Sequence, residues 1–416
     1  MKRLLCVLAG MTAAGTLSAA PTVSDVEISQ DPVTRNVTVS YTLSAAAVVT
    51  VEILTNNQPI AAREISRMVA GDLNRKVEAG RRAVYWRADR GWPGAGAQFD
   101  SCVKARVTAW PLDNPPDFMV CDLCFPGQRR YYVSAEALPY DLTNVLYKTD
   151  QLVMRKIPAK NVRWHMGAAK NASNNYSDFQ ARETYHYVTF SYDYYMAVFK
   201  TTRAHYNRIM GNAVTNVNDT AYHIPAGYVS YHALRGSTSD GIDWPDTLST
   251  VTAASVINRV RVFTGVNSMD LPTEAEWEYA CRAGTATDFN NGKNLSGTWA
   301  ASPDGIAWDS SCAGGQMHPV GEKPCNNWQI YGFHGNGFEW CLDWDLVTPY
   351  ALDSEQTDPV GPKSSDPGAP TERSARSNFY SCSALCMRSA TRSHIAPGTG
   401  HNVFNCFRLK CAASAE

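Results

Sequence analysis

The stretch "LPTEAEWEYACRAGT", Leu271–Thr285, decides how this chain of 416 residues is read. Pro272 opens it, Thr273 stands where an N-cap would, and Glu276 returns three residues later. That is the spacing of a capping box. It predicts a helix with Trp277, Ala280 and Cys281 on one face and Trp277 in the core. Glu274, Glu276 and Glu278 could be imagined as catalytic carboxylates. The plainer expectation is that they favour the positive end of the helix dipole.

Upstream, "TTRAHYNRIMGN" (from Thr201) predicts a second helix. Thr202 is its cap, Tyr206, Ile209 and Met210 share a face, and Gly211 is the stop. "HYVTFSYDYYM" (from His186) alternates as a strand. Residues 21–112 alternate with a period of two. In "NVTVSYTL", Val37, Val39, Tyr41 and Leu43 share one face, and "VVTVEIL", "AVYWRA" and "VKARVTAW" repeat the pattern between turns. This predicts an N-terminal all-β sandwich of immunoglobulin or fibronectin type, a spacer or docking module without catalytic groups. "PLDNPPDF" (Pro111–Phe118) breaks regular structure. Residues 113–129 then read as a connector and 130–416 as a second domain. "GPKSSDPGAPTERS" within it reads as one exposed loop.

Composition narrows the function. Apolar residues make 44% of the chain and charged ones 19%, an ordinary globular balance. A net charge of −1 gives no sign of nucleic acid or an anionic membrane as partner. Lys2 and Arg3, then "LLCVLAGM", then "TLSAA", read as a signal peptide over residues 1–20. The mature protein is therefore expected to be secreted, periplasmic or on the cell surface. No later stretch reaches the roughly 20 apolar residues of a membrane span. Of twelve cysteines, Cys6 falls in the leader; the remaining odd number are expected mostly as disulfides, with at least one left over. "CDLC" (Cys121–Cys124) has zinc-like spacing but no second such pair, so a disulfide or loop pair is the better reading.

Four segments in order carry a family resemblance. "LPTEAEWEYACRAGT" resembles the signature of the sulfatase-modifying-factor family, founded on the formylglycine-generating enzyme. "YHYVTFSYDYYMAVFKTTRAHYNRIMG" resembles its opening strand and helix. "HPVGEKPCNNWQIYGFHGNGFEWCLDWD" resembles its Gly-Asn-x-x-Glu-Trp core, and "MRSATR" with "CFRL" its closing elements. The resemblance spans roughly residues 117–412. It implies an irregular α+β domain, a variant of the C-type lectin fold.

Fold leaves function open. In catalytic members of the family two cysteine thiolates hold Cu(I), in a Gly-Gly-Ser-Tyr-x-Cys segment with four residues between the cysteines. Here Tyr380 and Cys382 match the Tyr-x-Cys. Ser377 and Asn378 replace the glycines, and only three residues separate Cys382 from Cys386. A two-thiolate copper site tolerates little displacement. On this alternative reading Cys382 and Cys386 would be catalytic, oxidising a cysteine in an exported sulfatase peptide to formylglycine. The resemblance also implies a structural calcium at Glu339 and the carbonyls of Gly335 and Gly337. Gly332, however, stands where an acid or amide is expected, and a buried Glu339 bonded to backbone amides is the preferred reading. The family's iron branch would need paired histidines, and the nine histidines here are scattered.

The preferred reading is recognition. Between Arg376 and Cys406, Met387 is the only representative of Met, Trp, Lys, Gln or Glu. All other residue types there can be written with NNC codons. That is the product of adenine-directed mutagenesis by a diversity-generating retroelement, which the resemblance links to a subset of the family. Phe379, Tyr380 and Phe404 would supply aromatic area at low rotamer cost. Ser381, Cys382, Ser383, Cys386, His394, His401, Asn402 and Asn405 would supply adaptable contacts. The expected ligand is a protein or a glycan. Cys406 could pair with Cys382, Cys386 or Cys411.

Overall fold

A computed structural model describes residues 20–60, 62–91, 103–168, 182–295, 301–347, 350–366, 368, 370–400 and 402–415. The signal-peptide reading, Cys6, Cys102 and His401 fall outside these residues.

The N-terminal unit is built from β1 (Val23–Gln30), β2 (Asn36–Leu43), β3 (Ala47–Thr55), β4 (Gln58–Pro59), β5 (Val69–Gly71), β6 (Lys76–Val77), β7 (Gly80–Arg87) and β8 (Val103–Trp110). One sheet runs β1-β2-β7-β5; the other runs β4-β3-β6, with β8 also on β3. Every pairing is antiparallel. The period-two pattern places Val37, Val39, Tyr41 and Leu43 in one core with Val49, Ile53, Val84 and Trp86. A short helix, Ala62–Arg67, interrupts the strands between β4 and β5 and touches the second unit through its side chains.

The second unit starts inside the expected connector. Strand β9 (Phe118–Asp122) lies within 113–129 and pairs with both β10 (Arg129–Tyr132) and β11 (Gln151–Ile157). With β14 (Tyr194–Ala197) and β20 (Lys410–Ala412) they form a five-stranded sheet, β10-β9-β11-β14-β20. Two smaller sheets complete the unit. One joins β12 (Arg163–Met166), β13 (His186–Thr189) and β16 (Glu355–Thr357); the other runs β18 (Ser393–Ile395), β17 (Arg373–Arg376), β15 (Phe338–Trp344), β19 (Asn405–Cys406). "HYVTFSYDYYM" is thus two strands in different sheets. The exposed turn at Ser191 breaks the alternation, and Tyr194–Ala197 is buried on both faces.

Both expected helices are present with their caps. In Arg203–Met210, Thr202 accepts the His205 N–H and Gly211 closes the helix in the left-handed region. Ile209 is buried there with Ala204 and His205, while Tyr206 and Met210 are half-buried against the same core. In Glu274–Arg282, Thr273 and Glu276 form the full capping box. Trp277, Ala280 and Cys281 lie together in one core as expected, and burial extends all round the helix, to all nine residues. A helix buried all round must find partners for its charges as well as its apolar groups.

The units are joined through side chains and one strand edge. Arg63 Nε donates to the Leu138 carbonyl at 3.2 Å and Ser66 Oγ to that of Ala137 at 2.6 Å. The Tyr131 N–H, on β10 at the sheet edge, donates to the Asn74 carbonyl at 2.7 Å.

Candidate functional site

The C-terminal loops meet at four rings. Phe379 stacks on Phe404 with centroids 4.2 Å apart, and Phe338 lies 5.4 Å from Phe379. Tyr380 stands edge-on to Phe379 at 5.8 Å. The Phe338 N–H donates to the Phe404 carbonyl at 2.9 Å, so β15 and the closing loop hold the stack in register. All four rings are half-buried, which leaves aromatic surface facing solvent. Ser381 is exposed beside them, and Cys382, Ser383, Cys386 and Asn402 are half-buried.

Two expected contact residues lie elsewhere. Asn405 is fully buried, its amide donating to the Thr399 carbonyl at 3.0 Å. His394 is exposed on β18, but its ring is tied to Glu372 at 2.5 Å rather than to the aromatic group. β18 and β19 lie at opposite edges of one sheet, which separates His394 from the loops, and Asn405 pairs with Phe338 on β15.

The cysteine expectation needs correcting. The ten described cysteines are all free, Cys121, Cys124, Cys382, Cys386, Cys406 and Cys411 among them. Cys406 is buried, its thiol 3.9 Å from the Met317 sulfur. Cys382 leans on the apolar cluster of Phe289, Ile306, Ala384 and Met387. Burial pushes its thiol up to about 11; a hydrogen bond from the Phe379 backbone opposes the rise in part, and neighbouring Cys386 adds to it. No cation contributes. Soft-metal ligation needs thiolates, so copper binding here would have to displace the Cys382 proton.

The backbone at the two replaced glycines keeps a glycine conformation. Ser377 has φ +77° and Asn378 has φ +63°. Ser377 stays because its hydroxyl is in use, donating to the Gly335 carbonyl at 3.0 Å and accepting from Lys200 Nζ at 2.8 Å. Gly335 is itself required. Its φ is +76°, and a Cβ there would lie 2.2 Å from the Trp308 carbonyl oxygen.

Lys200 decides the calcium question. Its ammonium donates to Glu339 Oε1, and both side chains are buried. Arg408 donates to Oε2 from Nε and to Oε1 from Nη2, each at 2.9 Å, and Trp277 Nε1 donates to Oε2 at 2.8 Å. Burial would raise the Glu339 carboxyl, but Arg408 and Lys200 outweigh it and hold it at about 2. Two cations already share the carboxylate, and the Gly335 carbonyl accepts from Ser377. These residues do not fit a calcium ion, whose ligands must be free oxygens. The partners of Glu339 are side chains rather than the backbone amides expected.

The glutamates of the signature helix serve a network that the sequence reading missed. Arg392 donates to both oxygens of Glu274 at 2.7–3.1 Å, and Arg376 bridges Glu274 at 3.0 Å and Glu278 at 2.9 Å. Arg282 holds Glu278 at 2.7 Å, and Arg388 grips Glu183 with two bonds of 2.7 and 2.8 Å. Lys410 takes Glu276 at 2.9 Å. The signal was present in "TEAEWE" and "MRSATR": three glutamates on a buried helix require cations from elsewhere.

These features define an irregular α+β domain whose signature helix and closing arginines form one buried ionic network. The profile of the Sulfatase-modifying factor enzyme 1-like domain matches residues 155–413, and the chain belongs to that family. The Chaperone protein LppX of Paenibacillus barcinonensis is 26% identical over 212 residues, 43% of this chain and 69% of the relative. The formylglycine-generating enzyme of Streptomyces coelicolor is 34% identical over 169 residues, 33% of this chain and 45% of the enzyme. That of Bos taurus is 30% identical over 155 residues, 34% of this chain and 38% of the enzyme. The chain thus spans less than half the length of these enzymes. Among solved structures, Treponema denticola variable protein 1 covers 66% of this chain and 98% of its own at 21% identity, with a TM-score of 0.46. PvdO from Pseudomonas aeruginosa covers 62% and 94% at 20% identity, with a TM-score of 0.42. Among the described residues, no helix is long and apolar enough to cross a membrane.

Proposed function

We propose that this is an exported ligand-binding protein of the sulfatase-modifying-factor family, using its C-terminal loops to engage a protein or a glycan. The observation that supports this furthest is the stack of Phe379 on Phe404 with Tyr380 and Phe338 beside it, half exposed and fixed by strand pairing. Rigid aromatic area with small polar neighbours gives contact energy at low entropic cost. The codon-compatible composition of 376–406 fits diversification by a retroelement. The N-terminal unit presents these loops as an immunoglobulin-like spacer, and residues 1–20 direct export.

The test is an array of glycans and surface-protein peptides probed with the full chain, followed by Tyr380→Ala and Phe404→Ala. Each substitution weakens binding about tenfold or more while thermal unfolding shifts little for Tyr380→Ala. A Cys382-dependent conversion of a Cys-x-Pro-x-Arg peptide to formylglycine, with Cu(I) and oxygen supplied, would instead establish the oxidase alternative. A genome lacking a near-identical template copy of the 376–406 coding segment would remove the diversification proposal and leave binding standing.

A further inference from the structure

The seam between the two units holds a second feature, apart from the aromatic stack of the C-terminal loops. Beside the bond from Tyr131 to Asn74, a groove of about 420 Å³ opens. Arg75 and Lys76 line it from the N-terminal unit, and Arg129 and Arg130 from β10. Gln128, Tyr131 and Ala415 also line it, and among the described residues no carboxylate does. Of these four cations, only Arg75 has an ion pair among the described residues, with Asp72 at 2.9 Å. Lys76 and Arg130 are exposed and have no ion pair among the described residues.

Composition does not account for this. The chain carries 38 basic and 39 acidic residues, so four cations along one groove are a local concentration of charge. Most exposed arginines of the N-terminal unit have a carboxylate beside them, as Arg81 has Glu27 and Arg106 has Glu52. One groove residue also keeps an unused polar atom: among the described residues, the buried Arg129 Nη1 has no hydrogen-bond partner. Buried donors of this kind are satisfied in nearly all proteins, by water or by ligand when not by protein.

We propose that the groove is a binding site for a small oligoanion carrying two or more phosphate or sulfate groups. Guanidinium forks suit the tetrahedral oxyanion through paired hydrogen bonds, and Lys76 adds a point charge. The volume lies within the range of small-molecule sites. Because two cations come from each unit, the ligand bridges the seam and braces one unit against the other.

The test uses the full chain with inorganic tripolyphosphate and with a disulfated disaccharide, followed by calorimetry and thermal unfolding. At low salt at least one probe binds and raises the unfolding temperature, and its affinity falls about tenfold in roughly 0.2 M salt. Tighter binding of one probe assigns the ligand as phosphorylated or sulfated. Lys76→Gln with Arg130→Gln weakens binding about tenfold or more. Both side chains are exposed, so the double variant folds, as a circular dichroism spectrum checks. Arg106→Gln, on the same unit but outside the groove, leaves binding unchanged. If neither probe binds at low salt, or if Arg106→Gln weakens binding as much as the double variant, the proposal fails.

Discussion

Lys200 is bonded to Glu339 at the centre of the family domain, with both side chains buried and Arg408 completing the triad. An ammonium therefore stands where the family resemblance implied a metal. Lys200→Met leaves the carboxylate short of a partner and destabilises the fold by about 3–5 kcal/mol, read from urea midpoints. The wild-type unfolding temperature is the same with calcium or with a chelator, because a ligand that bound only the folded state would raise it. The Glu339 carboxyl, held at about 2 against an ordinary 4.5, contributes stability that is present above pH 4.5 and lost as pH falls toward 2. A calcium-dependent rise in unfolding temperature would refute the assignment.

Asp343 behaves in the opposite sense. Its Oδ2 accepts the Glu274 N–H at 2.8 Å, yet among the described residues no guanidinium pairs with it. Burial pushes its carboxyl up to about 8, and the charge on Glu274 adds to the rise. With the folded value above the unfolded one of 3.8, the folded state holds a proton that the unfolded state has released. Stability then falls as pH rises from about 4 to about 8, by up to roughly 1.4 kcal/mol per unit. Asp343→Asn keeps the acceptor and removes the proton. The variant should match wild type near pH 4 and exceed it increasingly toward pH 8. Parallel urea midpoints for the two proteins across that range would exclude this account.

The difference between these carboxylates also shows what could be read from sequence. The Thr273–Glu276 capping box and the Thr202 and Gly211 caps are local signals, complete within a few residues, and each appears where its spacing places it. The face shared by Val37, Val39, Tyr41 and Leu43 is equally local. By contrast, Glu274 meets Arg392 across 118 positions, and Arg388 meets Glu183 across 205. No spacing rule encodes such pairs. Their trace is only a charge excess on an element that turns out to be buried. The aromatic trio Phe379, Tyr380 and Phe404 was legible from composition. The burial of Asn405 was not, because it depends on β19 pairing in parallel with β15.

Ser377 and Asn378 make a finer test, since both hold left-handed backbone. Such a conformation costs an ordinary residue roughly 1–2 kcal/mol and glycine almost nothing. Asn378 tolerates it, and its side-chain amide gains three bonds, none shorter than 3.1 Å: to the Cys386 carbonyl at 3.2 Å, to Ser393 at 3.4 Å and from the Phe379 N–H at 3.1 Å. Asn378→Gly is therefore neutral or slightly stabilising. Ser377→Gly relieves the same strain but strips a hydroxyl from Lys200 and Gly335, and it destabilises by roughly 1–2 kcal/mol. Calorimetric melting should rank Asn378→Gly at or above wild type and Ser377→Gly below it. The reverse order would show that the hydroxyl contributes nothing.

Thiol chemistry separates recognition from catalysis without knowledge of any ligand. With its thiol at about 11, Cys382 is almost wholly protonated at neutral pH. Its thiolate fraction at pH 7.5 is roughly 300-fold below that of a free cysteine near 8.5. Alkylation by iodoacetamide, followed at Cys382 by peptide mass spectrometry, should be slow by about that factor. The rate should climb about tenfold per pH unit until it levels near pH 11. A catalytic or metal-binding thiol would show the contrary profile, fast at neutral pH and flat above it, because its thiolate would already be formed. Rapid neutral-pH labelling of Cys382, abolished by Cu(I), would return the pair to the oxidase reading and displace the aromatic surface as the working site.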